Sequence, residues 1–497
     1  MTMNADQRSA RKKEIHTRST EYSALSTQHS VPSVNRRYFF EQFGSGLLGA
    51  AIGYLWLEDS LLATAFTAAG ANETGGRIAP RLPVKAKSII MLFMCGGVSH
   101  IDTFDPKDNK HAGKLIDAIG FGDNQAKMLR PVIPILRTFT RYGKSGIPVS
   151  DWFPEVGSCV DDIAFIRSMY TEEVNHFPAV IELITGHRGR QFNHPSLGGW
   201  ISYALGTANK DLPAFVNIGR PSSPVQLTGG YLGTTEAATP FGGGDRPVEH
   251  LNIPKSVSAA QRERDMEALF RLNSEFREHY KTEMEIAARL KSYELAARMQ
   301  LSVPEVVDFS REPAHVKELY GIGGKETDAF GRQCLMARRL AERGVRFIQL
   351  CHGGGGNGDW DAHGDMTSHA PLCRQTDQPI AGLIKDLKQR GQLDSTLVVW
   401  ATEFGRTPWS QNTTGRDHNP RGYTCWMTGA GIKGGVVHGS TDDVGYNAIE
   451  SRVYVSDLLA TILHQMGLNH EDLATVVNNR PVRLVEHGHG PVKNIIA

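Results

Sequence analysis

A chain of 497 residues, 40% hydrophobic and 22% charged, has enough apolar mass for a large buried core, as one big α/β domain or as two to three smaller ones. A net charge of +1 gives no general basic field, which argues against nucleic acid as a partner. The six cysteines (Cys95, Cys159, Cys334, Cys351, Cys373, Cys425) lie far apart with no CxxC pair, excluding a zinc knuckle or small disulfide scaffold and leaving room for one or two disulfides.

The charge is unevenly placed. Residues 1–37 carry seven Lys/Arg against three Asp/Glu, leaving about −3 for the rest. The basic stretch ends in Asn35-Arg36-Arg37-Tyr38-Phe39-Phe40-Glu41, then comes a Gly/Ala-rich apolar run to Leu57 and a small-residue site at Ala63-Thr64-Ala65. That order resembles a twin-arginine export signal over residues 1–65, which implies the twin-arginine machinery as a partner and a periplasmic or extracellular mature chain. The run is broken by glycines and closed by Glu58-Asp59, too weak for a stable membrane span. Residues 66–86, rich in Gly, Ala and Pro, read as a linker, and 87–497 as the folded domain.

Within that domain, residues 88–94 (SIIMLFM) form an uninterrupted apolar run of strand length. A strand over 163–169 and a helix over 179–185 flank the polar Asn175-His176. Residues 258–302 are charged and periodic, predicting an amphipathic helical insertion on the surface. The spacing then predicts a helix over 330–343 stopped by Gly344, a strand over 345–351, a helix over 377–390 stopped by Gly391, and a strand over 394–402. A last helix is expected over 454–466. Helix-then-strand units beside an all-apolar first strand predict an α/β fold, with a mostly parallel sheet covered by helices on both faces.

In such a sheet, ligands bind beyond the carboxyl ends of the strands. After 88–94 come Gly96-Gly97, Ser99, His100, Asp102 and Thr103; after 345–351 a glycine run and then Asp359, Asp361 and His363; after 394–402 Glu403 and Arg406. Arg416-Asp417-His418 follows in a loop able to fold back over this edge. A lone loop histidine is most often a surface or hydrogen-bonded residue. Histidine and carboxylate delivered together by several strands instead suggest a divalent metal, zinc or manganese (or iron) before calcium. The glycines are expected to let backbone approach a ligand, while His187, His194, His352, His438 and His464 are read as structural.

GGVSHIDTFDPK, WDAH, TEFGRTP and GRDHNP, in this order, resemble DUF1501 proteins from about Ser88 to the C-terminus. LDSTLVVWATEFG, VSDLLATILHQMG and IRSMYTEEVNHFPAVIELITGHR are similar to segments of sulfatases. The resemblance implies an alkaline-phosphatase-like sandwich with a one- or two-metal site for oxyanion esters. Against the sulfatase pattern, Cys95-Gly96 replaces the first Asp pair, Glu403-Phe404 replaces an Asp-His pair, and His176 stands at or beside the nucleophile position.

Expected metal ligands are therefore His100, Asp102, Asp361, His363, Glu403 and His418. His176 is expected as general acid/base or a further ligand, Arg406 as the oxyanion contact, and Thr103 or Ser99 as nucleophile in the absence of a metal-activated water. The corresponding function is an exported, metal-dependent hydrolase of sulfate or phosphate esters, small or polymeric. The alternatives are an inactive secreted metal- or carbohydrate-binding protein and a cell-envelope structural protein of the same fold.

Overall fold

The computed structural model describes residues 78–119, 127–135, 137–189, 193–242, 258–279, 284–410 and 414–497. The segment read as an export signal, and the linker up to residue 77, lie outside the described residues.

The apolar first run becomes β1 (Ser88–Met94), every residue of it buried. The other strands of the central sheet are β2 (Ile163–Tyr170), β3 (Phe215–Ile218), β4 (Thr239–Phe241), β5 (Phe347–His352), β6 (Thr396–Ala401), β7 (Tyr423–Thr428), β8 (Val436–His438) and β9 (Val453–Tyr454). Their order is β8-β2-β7-β6-β1-β5-β3-β4, with β9 also paired to β2. All pairings are parallel except those of β7, which runs against both β6 and β2. β1 sits between β6 and β5, in register from Ser88 with Thr396 and from Ile89 with Phe347. This is the mostly parallel α/β sheet expected.

Alternation along β1 shows why both faces need covering. Ile90, Leu92 and Met94 enter one core with α5 (Asp328–Glu342) and α6 (His369–Gln389), whereas Ile89, Met91 and Phe93 enter the other. That second core is closed by α1 (His176–Thr185), α2 (Leu197–Leu205) and α7 (Val455–Gln465). The 258–302 stretch forms α3 (Ala259–His279) and α4 (Met284–Val307). α4 is less superficial than expected: Met299, Val303 and Val306, spaced on one helical face, are buried in the first core. Helix α6 begins eight residues before the expected start, since Pro371 in its first turn leaves no hydrogen bond broken.

All six cysteines are free and buried, which corrects the allowance for disulfides. Buried in the two cores, they act as small hydrophobes.

Candidate metal centre

Four segments meet at the carboxyl edge of the sheet. β2 leads through Thr171–Asn175 to His176, the first residue of α1. The loop after β5 carries Asp361 and His363, β6 is followed by Glu403 and Arg406, and the arch between β6 and β7 carries Asp417 and His418. His176, Asp361, His363 and His418 each offer a ligand atom within 4.8 Å of the others, a group suited to a metal ion.

Two of the three histidines are tied at the far nitrogen. His176 Nδ1 lies 2.7 Å from Glu403 Oε1, and His418 Nδ1 lies 2.7 Å from the Val174 carbonyl oxygen. His363 Nδ1 lies 3.7 Å from Asp417 Oδ1. A carbonyl can only accept, and so can an ionised carboxylate, so the two shorter contacts place protons on Nδ1 of His176 and His418 and turn their Nε2 lone pairs inward, whereas His363 Nδ1 makes no hydrogen bond that fixes its tautomer. There, His363 Nε2 and His418 Nε2 are 2.9 Å apart, and Asp361 Oδ1 is 3.0 and 3.4 Å from them. His176 Nε2 faces Asp361 Oδ2 at 3.3 Å and makes no hydrogen bond of good geometry. Phe404 packs against the His176 and His418 rings, at 4.8 and 4.5 Å between centroids.

The electrostatics follow. Burial would raise the Asp361 pKa, but the three imidazoles and Arg406 outweigh it and hold the carboxylate well below its usual range. Burial opposes protonation of His176, yet Asp361 and Glu403 prevail and its pKa is raised. For His418 burial wins, and the pKa is lowered. Without a cation, the cluster therefore attracts a proton to His176.

Three expected ligands are not among the four. Glu403 is fully buried, with the Gly96 N–H donating to its two oxygens at 2.9 and 3.2 Å while Oε1 holds His176, so it orients a ligand from behind. Asp102 is paired to Arg416 Nε at 2.7 Å and accepts from Ser99 Oγ at 2.5 Å. His100 Nε2 donates to the Gly445 carbonyl at 2.7 Å. The loop after β1 thus turns its ionisable side chains under the site. By pairing with Arg416, Asp102 holds the strand of backbone that ends in His418.

The expected catalytic set changes too. His176, expected as general acid/base or a further ligand, lies within the four-residue cluster. Arg406 has no exposed surface: Nε donates to Gly97 O at 2.8 Å, Nη2 to Asp361 Oδ1 at 2.7 Å and to Gly96 O, and Nη1 to Arg416 O at 3.3 Å. It clamps Asp361 and cannot face a substrate oxyanion. Thr103 Oγ1, fully buried, donates to Ser99 O at 2.7 Å and is not placed to attack.

The glycines bring protein, rather than ligand, close. A Cβ on Gly96 (φ +120°) would lie 2.7 Å from Asp361 N, and one on Gly97 (φ +79°) 2.7 Å from the Phe404 ring. The five histidines read as structural stay outside the cluster; His352, for example, is engaged by Trp360 Nε1 and Gln375. Asp417 and the Val174 carbonyl were not anticipated as orienting groups. Asp417 had one signal, its place beside His418, whereas a backbone carbonyl has none.

Fold and site together define a mixed α/β protein with three histidines and one carboxylate converging at the carboxyl edge of its sheet. Within that class the chain belongs to DUF1501, described as a protein of unknown function, whose pattern matches residues 86–496. Among solved structures it is similar to the PsFucS1 sulfatase from Pseudoalteromonas sp., at 12% identity and TM-score 0.33, over 79% of this chain and 69% of that one. It is likewise similar to the alkaline phosphatase from the Antarctic bacterium TAB5, at 11% identity and TM-score 0.34, over 78% and 99%. The phosphonate monoester hydrolase SpPMH from Silicibacter pomeroyi is a third, at 12% identity and TM-score 0.29, over 66% and 70%. No curated protein matches the sequence.

Proposed function

We propose that this chain is a hydrolase of sulfate or phosphate esters that works with a divalent metal held by His176, Asp361, His363 and His418. The observation that carries the reading is the convergence of three imidazole Nε2 atoms and a carboxylate, with His363 and His418 nitrogens 2.9 Å apart. Lone pairs that close repel unless a proton or cation lies among them. The donor set, nitrogen with one carboxylate, suits zinc or manganese before calcium.

A divalent metal there would supply Lewis acidity toward an ester oxygen and lower the pKa of bound water. The chain's own part is positional. Glu403 and the Val174 carbonyl fix the tautomers of His176 and His418, and Arg406 fixes the Asp361 carboxylate. Ser99 and Thr103 are buried and committed to Asp102 and to Ser99 O, so the reading assigns attack to solvent. The same commitment favours a second reading, a metal-binding protein of this fold without turnover.

Export by a twin-arginine signal belongs to the proposal, supported by Arg36-Arg37 and the run that follows. Among the described residues no helix is long and apolar enough to cross a membrane.

Elemental analysis of wild type, Asp361→Ala and His363→Ala, with nitrophenyl phosphate and sulfate assayed on the same samples, tests the reading. Stoichiometric metal lost in both variants, with turnover of one ester, is expected. Metal without turnover would leave the binding reading, and wild type free of metal would sink both.

A further inference from the structure

An anionic ester needs a positive group beyond the metal, and the site's own arginine is consumed. Asp361, Glu403 and Asp417 set three carboxylates against the single guanidinium of Arg406, so a divalent cation brings the centre only to neutrality. Arg188, which follows α1, is engaged by Glu172, Glu173 and Glu182.

Arg220 is different. It follows the carboxyl end of β3, the strand beside β5, and is exposed with no hydrogen bond or ion pair to its side chain among the described residues. Its seat is the glycine run after β5. A Cβ on Gly354 would lie 1.5 Å from the Arg220 carbonyl oxygen, and one on Gly355 (φ +109°) 2.8 Å from Cζ and 2.9 Å from Nε. Only bare backbone leaves room for this guanidinium. The same loop then reaches the metal centre in two turns, Gly358 N donating to Gly355 O at 3.0 Å and Asp361 N to Gly358 O at 3.2 Å. Between them Asn357 Nδ2 points to Asp361 Oδ2 at 3.4 Å.

We propose that Arg220 is the residue that recognises the sulfate or phosphate group of the substrate at the mouth of this centre. The inference rests on the ester-hydrolase reading for its substrate class, but its geometry stands on the packing of Arg220 against the loop that carries Asp361. A planar guanidinium offers paired donors to two oxygens of such a group, which an ammonium cannot match. Arg220 is a specificity-determining residue, seated by Gly354 and Gly355 of the glycine run.

The test uses inorganic phosphate and inorganic sulfate as probes in titration calorimetry, on wild type, Arg220→Ala and Arg220→Lys, with metal content measured on the same samples. Arg220→Ala is expected to bind the anions about tenfold more weakly, equivalent to ~1.4 kcal/mol, with unchanged metal content. Arg220→Lys should fall between, since charge remains and the fork is lost. With a nitrophenyl phosphate or sulfate, KM should rise about tenfold at nearly constant kcat, while neutral nitrophenyl acetate is unaffected. Metal-loaded wild type that ignores both anions, or Arg220→Ala that binds them as well as wild type does, overturns the inference. Wild type lacking metal overturns the ester-hydrolase reading instead, and anion binding lost in Arg220→Ala would still support the role of Arg220.

Discussion

Replacing Glu403 by Gln asks whether this carboxylate supports a ligand or is one. Its Oε1 accepts a hydrogen bond from His176 Nδ1 at 2.7 Å, and its two oxygens share the Gly96 N–H at 2.9 and 3.2 Å, with no exposed surface. Gln keeps the size and one acceptor oxygen, so the variant should fold. The bond to His176 then passes from charge-assisted to neutral, a loss of about 1 to 1.5 kcal/mol. The new amide also faces the Gly96 N–H, itself a donor, and loses the acceptor that Oε2 offered it. Together these place the cost in metal affinity at about 10- to 100-fold, ~1.4 to 2.7 kcal/mol. Competition with a chromophoric chelator at fixed pH measures it, with thermal melts of the metal-free protein as the control for folding. An affinity equal to wild type would refute the orienting role. A loss as complete as that of Asp361→Ala would show Glu403 to be a ligand and the inner and outer assignments to be wrong.

Gly96→Ala forces a Cβ to within 2.7 to 2.9 Å of backbone atoms of Trp360 and Asp361 at φ +120°; a loss of about 3 kcal/mol together with weaker metal binding is expected, and an unchanged urea midpoint would contradict it. Asp102→Ala leaves the buried Arg416 guanidinium without its partner, which should cost about 3 to 5 kcal/mol; a loss below about 1 kcal/mol in denaturant titration would mean the pair does not anchor the His418 segment. Asp377 accepts the N–H groups of Val156 and Glu155 at 2.8 and 3.0 Å, but burial dominates and pushes its pKa up to about 7. Between pH ~4 and ~7 the native carboxyl holds a proton that the unfolded chain has released, so stability falls as pH rises, by up to about 1.4 kcal/mol per pH unit. Melting temperatures across that window should converge with those of Asp377→Asn at low pH and separate as pH rises; parallel curves would refute the assignment.

The strands next to the site were legible because an apolar run that must be buried on both faces leaves few other readings: 88–94 is β1 without adjustment, and the runs leading to Asp361 and Glu403 are β5 and β6 within two residues at each end. Carboxyl-edge logic then located Asp361, His363 and His418. It failed for His100 and Asp102 because distance from a strand end does not say which way a loop turns. Their partners, Gly445 and Arg416, lie more than 300 residues away in sequence. For Arg406 the chain shows only a guanidinium near the carboxyl edge, and it is the fold that directs its donors to the Gly96 and Gly97 carbonyls and to Asp361. The antiparallel strand pairs 115–119 with 127–131 and 139–142 with 147–150 carry no clear periodicity, being only four or five residues long.

The one reversed strand has a consequence for how the centre comes into being. β7 is inserted between β6 and β2, so the arch bearing His418 is pinned only when β7 has docked, and β2, which launches His176, finds its place in the sheet only through β7. All four residues of the candidate cluster precede residue 423. A nascent chain that stops short of β7 would therefore carry the full set of donors and no coordination sphere, and cation uptake would report zipping of the sheet's far half rather than synthesis of the ligands.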